Sequence, residues 1–383
     1  MSNPYTSMPS KAFWKAAIAE KNALEIEQLH SFKYAISRDD KVVTAGSCFA
    51  QHIGRAMKAQ GFNWFDAEPG PATGLMTPEL RKKYGYGVFS FRTGNIYTTS
   101  LLRQWVWWAF GKAAPSEEVW RDAAGRFYDP FRPAIEPDGF ASAEEVMAAR
   151  ELTLGAIRTA VRECSVFVFT LGLTEGWLNV ASGVDYPMCP GTHAGEFDAQ
   201  AHVFKNYTSS EIHSALSEVI AFCREVNPDI RFLLTVSPVP LTATASGKHV
   251  LVATTYSKSV LRAVAGEVAD AYDYVDYFPS YEIIASAPFR GMFYKPNQRE
   301  VSPKGVDVVM GHFFAAMGID AHAAPERPVR RERAGGGGRG GGKVSGAPAE
   351  PGENAGEAAS ADDVECEEAL LEVFGSGAEV AAR

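Results

Sequence analysis

Two unbroken apolar runs constrain the fold of this chain most. Val166-Phe167-Val168-Phe169-Thr170-Leu171 and Arg231-Phe232-Leu233-Leu234-Thr235-Val236 are rich in β-branched and aromatic residues and do not alternate with polar ones. A strand written this way is covered on both faces, as in a parallel sheet flanked by helices. Each run follows a stretch of helical character. Residues 142–163 carry Val146, Ala149, Leu152, Ile157 and Val161 along one face, and residues 209–226 form the second helix. A helix bearing Ser257 and Lys258 comes next, then a short strand near residues 272–275, then a helix over 303–317 with Pro303 in its first turn. The alternation predicts an α/β fold: a three-layer, doubly wound, mostly parallel sheet in one domain over residues 1–322. Residues 11–37 are expected to wrap the domain, residues 62–65 to add a short second strand, and hairpins to form at Ala124-Gly125 and over 177–188.

The first strand of such a sheet is found at Val42, Val43 and Ala45. Gly46 gives it a sharp exit, after which Phe49, Ile53 and Met57 recur at four-residue spacing, one face of a helix. This strand, turn and helix hold Ser47 and Cys48 at a strand's carboxyl end, where open α/β sheets place ligands. The unpaired N–H groups of a helix start favour negative charge there, on a thiolate or on an oxyanion. Phosphate-loop and dinucleotide glycine patterns are absent: after Gly46 the next glycine is Gly54, followed by Arg55.

Composition narrows the function classes. A net charge of −9 argues against general nucleic-acid binding, and no apolar stretch approaches a bilayer span. The first residues lack a charged segment followed by an apolar one, so a cytoplasmic location is expected. Cys48, Cys164, Cys189, Cys223 and Cys366 are scattered without a C-x-x-C pair, and the histidines show no paired helical spacing. Neither a disulfide framework nor a metal site is suggested, and no cofactor is expected.

The stretch Gly46-Ser47-Cys48-Phe49-Ala50 is the signature of the GSCFA family, and other segments resemble the same family. These are Tyr97-Thr98 after Gly94-Asn95, Gly172-Leu173-Thr174-Glu175, Ser237-Pro238-Val239, Ser257-Lys258 and residues 277–282, together covering roughly residues 1–320. The family is similar to the SGNH (GDSL-like) esterases and acyltransferases, which implies a flavodoxin-like sheet. Overlaying Gly-Asp-Ser on Gly46-Ser47-Cys48 puts Cys48, not Ser47, at the nucleophile's position. The resemblance makes Gly94 and Asn95 candidates for the oxyanion hole, although Gly-Asn is also an ordinary turn before a helix. It places Gly172, Thr174 and Glu175 where SGNH proteins carry an oxyanion-binding asparagine. The Asp-x-x-His block expected from the resemblance falls on Asn297 and Glu300, so the usual base is missing and Glu300 becomes its stand-in. Any titrating histidine base is sought at His52, His193 or His249.

The implied activity is that of an acyl esterase or O-acyltransferase acting on a saccharide or other hydroxyl-bearing small molecule, with an acyl donor as second partner. A cysteine nucleophile tolerates the loss of a base better than a serine does. The alternatives are a catalytically inactive ligand-binding module and a scaffold that recruits a partner through its C-terminal helix. Ser47 is expected to turn inward and hydrogen-bond neighbouring loops while Cys48 caps the helix. From residue 323 the composition turns to Gly/Arg-rich and then Ala/Glu-rich sequence, expected to be a disordered tail with a short helix over 362–374.

Overall fold

The computed structural model describes residues 3–72, 74, 76–319 and 367–375. In chain order its elements are β1 (Val42–Gly46), α1 (Phe49–Ala59), α2 (Pro78–Lys83), α3 (Thr99–Ala109), β2 (Trp120–Arg121), β3 (Phe127–Tyr128), α4 (Ala143–Glu163), β4 (Val166–Leu171), β5 (Glu175–Asn179), β6 (Asp185–Tyr186), β7 (His202–Asn206), α5 (Ser209–Val226), β8 (Arg231–Val236), α6 (Val250–Ala271), β9 (Val275–Tyr277), α7 (Ser280–Ala285) and α8 (Pro303–Ala316). The two apolar runs, β4 and β8, lie side by side at the centre of a four-stranded parallel sheet of order β1-β4-β8-β9.

Because side chains of a strand alternate between faces, each run feeds two cores. Val43, Phe167, Phe169, Phe232 and Leu234 pack under α3, α4, α5 and α6, whereas Val42, Val166, Val168 and Leu233 meet α1, α7 and α8 on the other face. This is the expected three-layer, doubly wound architecture. Local chemistry sets its boundaries: Ser142 caps α4, and Thr208 with Glu211 forms a reciprocal capping box at α5.

Three elements differ from expectation. The second strand shrinks to a single parallel bridge, Val42 to Trp64, since Asn63 and Phe65 bond the edge of β1 and the chain then leaves. The last strand starts at Val275, because residues 272–275 first close a turn through Val275 N–H to Tyr272 O (3.2 Å); within the strand the Asp276 carboxylate accepts from the Lys33 N–H (2.9 Å). The hairpin over 177–188 gains a third strand: β6, β5 and β7 form an antiparallel sheet that β4 enters directly through Gly172-Leu173-Thr174. The leader wraps the domain in short helical turns, with Ile26 and Ile36 buried. Residues 323–366 and 376–383 of the expected tail lie outside the described residues, as does the first part of its helix. Glu367–Leu371 forms a 3-10 turn and Glu372–Gly375 a last helical turn.

Candidate active site

At the carboxyl end of β1 the backbone is pressed against its neighbour. Gly46 has φ +124°, and a Cβ there would lie 2.3 Å from the Thr170 carbonyl oxygen, so no other residue fits. Ser47 N–H donates to that carbonyl (3.0 Å), and Ile96 N–H donates to Gly46 O (2.7 Å). The N–H groups of Gly172 and Leu173 both donate to Tyr97 O, at 3.1 and 2.9 Å. The loops after β1, before α3 and after β4 are thus tied into one surface. Helix α6 clamps it from the side: Lys258 Nζ, almost wholly buried, donates to Gly172 O (2.7 Å), and Ser257 Oγ accepts from Thr174 N–H (3.0 Å).

Within this surface sits a cradle for a negative oxygen. Gly94 takes a left-handed φ of +68° just before Asn95. Asn95 is 1% exposed, and its Oδ1 accepts from Gln51 Nε2 (3.2 Å), one turn along α1 from Cys48. That bond orients the Asn95 amide so that Nδ2 donates to Glu367 Oε2 at 2.8 Å. The same oxygen accepts from Tyr97 Oη at 3.2 Å, and Glu367 Oε1 lies 3.5 Å from the Asn95 N–H. Arg299, buried in the turn after α7, pairs with Glu368 (3.2 Å). Beside the cradle is a cavity of about 190 Å³ walled by Leu173, Trp177, Met188, Phe204, Leu241 and Leu371. Glu175 lines it too: Thr244 Oγ1 donates to its carboxylate (2.9 Å), and burial holds its carboxyl above the ordinary range.

Gly94, Asn95, Gly172, Thr174, Ser47 and Cys48 therefore converge at one end of the sheet. Cys48 is buried at the start of α1 with helical backbone angles, but its side chain makes no capping bond to that helix, contrary to expectation. The Ser47 hydroxyl does not bond the neighbouring loops either: together with those of Thr170 and Thr174 it has no hydrogen-bond partner among the described residues. Its Cβ instead fills the space beside Gly172, where a further Cβ would come within 3.0 Å.

The stand-in base is elsewhere engaged. Glu300 is exposed; Lys295 pairs with it (2.9 Å), Asn297 Nδ2 donates to it (2.8 Å), and these bonds hold its carboxyl below the usual range. Asn297 is the hinge of that turn, its Oδ1 accepting from the N–H groups of Arg299 and Glu300. The block expected to present a base presents Arg299 to the cleft instead. Of the histidines, His249 is an exposed cap of α6, and His193 packs edge-on against Tyr128 of β3. His52 lies on α1, where burial, then Arg55 and Lys295, push its pKa down to about 3.

His52 therefore stays neutral in the fold while the unfolded chain takes up a proton below about 6.5, so it costs stability as pH falls from there toward about 3. His52→Gln should lose less stability than the wild type between about pH 7 and about pH 5 in urea denaturation. Equal losses in the two chains would mean that His52 charges freely in the folded protein.

Gln51, Tyr97, Lys258, Arg299 and Glu367 join the site beyond the residues that the sequence singles out for catalysis or oxyanion binding. Gln51 has a signal in its place one helical turn from Cys48, and Tyr97 and Lys258 in the family-like segments that contain them; Arg299 and Glu367 are recruited by tertiary contacts alone. A family model described as the GSCFA family matches residues 41–313. No curated protein and no solved structure matches the chain.

Proposed function

The chain belongs to the GSCFA family, and we propose that it is an SGNH-like acyl esterase or O-acyltransferase with Cys48 as nucleophile. The observation that carries this reading is the buried Asn95 amide: oriented by Gln51 from the helix that Cys48 begins, it donates to an anionic oxygen at 2.8 Å. A site of that kind favours the charge that develops on an acyl carbonyl during attack.

In the proposed reaction the Cys48 thiolate, its proton having passed to solvent, bonds to the acyl carbon. The carbonyl electron pair moves onto oxygen in the cradle of Asn95 and Tyr97. The intermediate collapses with cleavage of the ester C–O bond, and the leaving alkoxide takes a proton from water. Water or a second hydroxyl compound then attacks the acyl-cysteine and releases Cys48. The apolar cavity suits an acyl chain or the flat face of a sugar, and the Glu175 carboxyl can accept a hydrogen bond from a substrate hydroxyl.

With His52 held neutral by burial and by Arg55 and Lys295, acyl transfer should rise with pH as the thiolate forms, without an inflection near pH 6.5. The pH dependence of kcat/KM on a chromogenic acyl ester or thioester tests this; a histidine-like inflection would place a different base in the site. A second reading, a ligand-binding module without turnover, is favoured by Glu300, whose carboxylate is held by Lys295 and Asn297 at the surface.

A further inference from the structure

The C-terminal segment is seated in the cleft, and its leading side chain fills the anion cradle. Glu367 is 9% exposed, although glutamates are almost never buried unless paired. Its oxygens face the Asn95 side-chain amide, the Asn95 N–H and the Tyr97 hydroxyl at 2.8, 3.5 and 3.2 Å. Gly94 is shaped around it: a Cβ at that position would stand 2.7 Å from Glu367 Oε1. The next residue, Glu368, pairs with Arg299 (3.2 Å), Glu372 lies 4.0 Å from the same guanidinium, and Leu371 closes the apolar cavity. Two adjacent carboxylates thus meet two separately built anion sites, one neutral and one cationic. That match in charge and spacing goes beyond what a helix merely resting on a surface requires.

A carboxylate in this position is a poor candidate for the missing base. Both of its oxygens are turned into donors, so it occupies the place that a substrate's carbonyl oxygen would take. We propose that the cleft is a binding site for a paired-carboxylate peptide, that its resident occupant is the Glu367–Glu368 segment of the same chain, and that this segment excludes substrate until it is released. The segment belongs to the same chain as the cleft, so its binding is intramolecular and favoured over that of a separate peptide. A weak intrinsic affinity therefore suffices to keep the cleft filled. The binding claim stands apart from the acyl-transfer reading, because a cleft without turnover would show it equally.

The test uses a labelled synthetic peptide of residues 362–375 bearing Cys366→Ser, titrated by fluorescence anisotropy into the full chain and into the full chain carrying Glu367→Ala and Glu368→Ala. The vacated variant should bind the peptide saturably and at least tenfold more tightly than the wild type, whose own segment blocks entry. A peptide carrying Glu367→Gln should lose about tenfold or more in affinity, as expected when a charge-assisted set of hydrogen bonds becomes a neutral one. Absence of binding to the variant, or equal binding to variant and wild type, overturns the proposal. Hydrogen exchange on the wild-type chain gives a check that does not depend on the double variant folding. Amides of residues 369–375 should be protected independently of protein concentration, and Arg299→Ala should speed their exchange at least tenfold without changing that of β4. Unprotected amides in the wild type, or protection that needs high concentration, would remove the segment from its own cleft.

Discussion

Replacing Cys48 by alanine is expected to abolish acyl transfer, a loss of about a thousandfold or more, as removal of a nucleophile produces. Cys48 is buried at the start of α1, and alanine is smaller and favourable in a helix, so the fold should survive and the loss should appear in kcat. Ser47→Ala makes the contrast. The Ser47 hydroxyl has no hydrogen-bond partner among the described residues, and alanine keeps the Cβ that packs beside Gly172. Stability and activity should therefore stay within a few-fold of wild type, by about the sub-kilocalorie change typical of substitutions that remove no bond or packing. A dead Ser47→Ala enzyme with an active Cys48→Ala enzyme would mean a serine nucleophile in the neighbouring register.

The next largest effect is expected at Asn95. Asn95→Ala removes the amide that donates at 2.8 Å into the cradle and leaves Gln51 without the acceptor it now serves. Loss of one preorganised donor to an oxyanion costs about 100- to 1,000-fold in kcat, with a smaller change in KM, because the bond strengthens as charge develops. Gln51→Ala should give the same kind of defect at lower amplitude, since it misorients the amide without deleting it. A loss confined to KM in both variants would assign the cradle to ground-state binding, the behaviour of a module that holds a ligand without converting it.

The sheet was legible because β4 and β8 are dominated by apolar residues on both faces without alternation, the pattern of a doubly covered strand. The first turn was legible for a steric reason: Gly46 before Ser47 and Cys48 marks the close approach of β1 to Thr170. The second strand was not, because Phe62 and Trp64 owe their burial to packing rather than to ladder bonds. In the site, Gly94 and Asn95 lie in the loop before α3, where Gln51 of α1 bonds the Asn95 amide. The engagement of Glu300 was not legible, because its carboxylate is held by Asn297 and Lys295, close by in sequence, rather than by a long-range partner. Glu367 could not be read at all, since its environment is made by Asn95, Tyr97 and Gly94, some 270 residues earlier. An acidic run in a glycine-rich context has the composition of a solvated tail, and only the complementary donors give it a place.

The central claim is that Cys48 carries an acyl group while the Asn95 cradle holds the carbonyl oxygen. Its most direct test is intact-protein and peptide mass spectrometry of the full chain, wild type and Glu367→Ala, after brief incubation with an activated acyl ester at neutral pH. A single acyl adduct mapped to Cys48 is expected, formed faster in Glu367→Ala and lost on addition of a hydroxyl acceptor. An adduct on any other residue, or none in either chain, would contradict it.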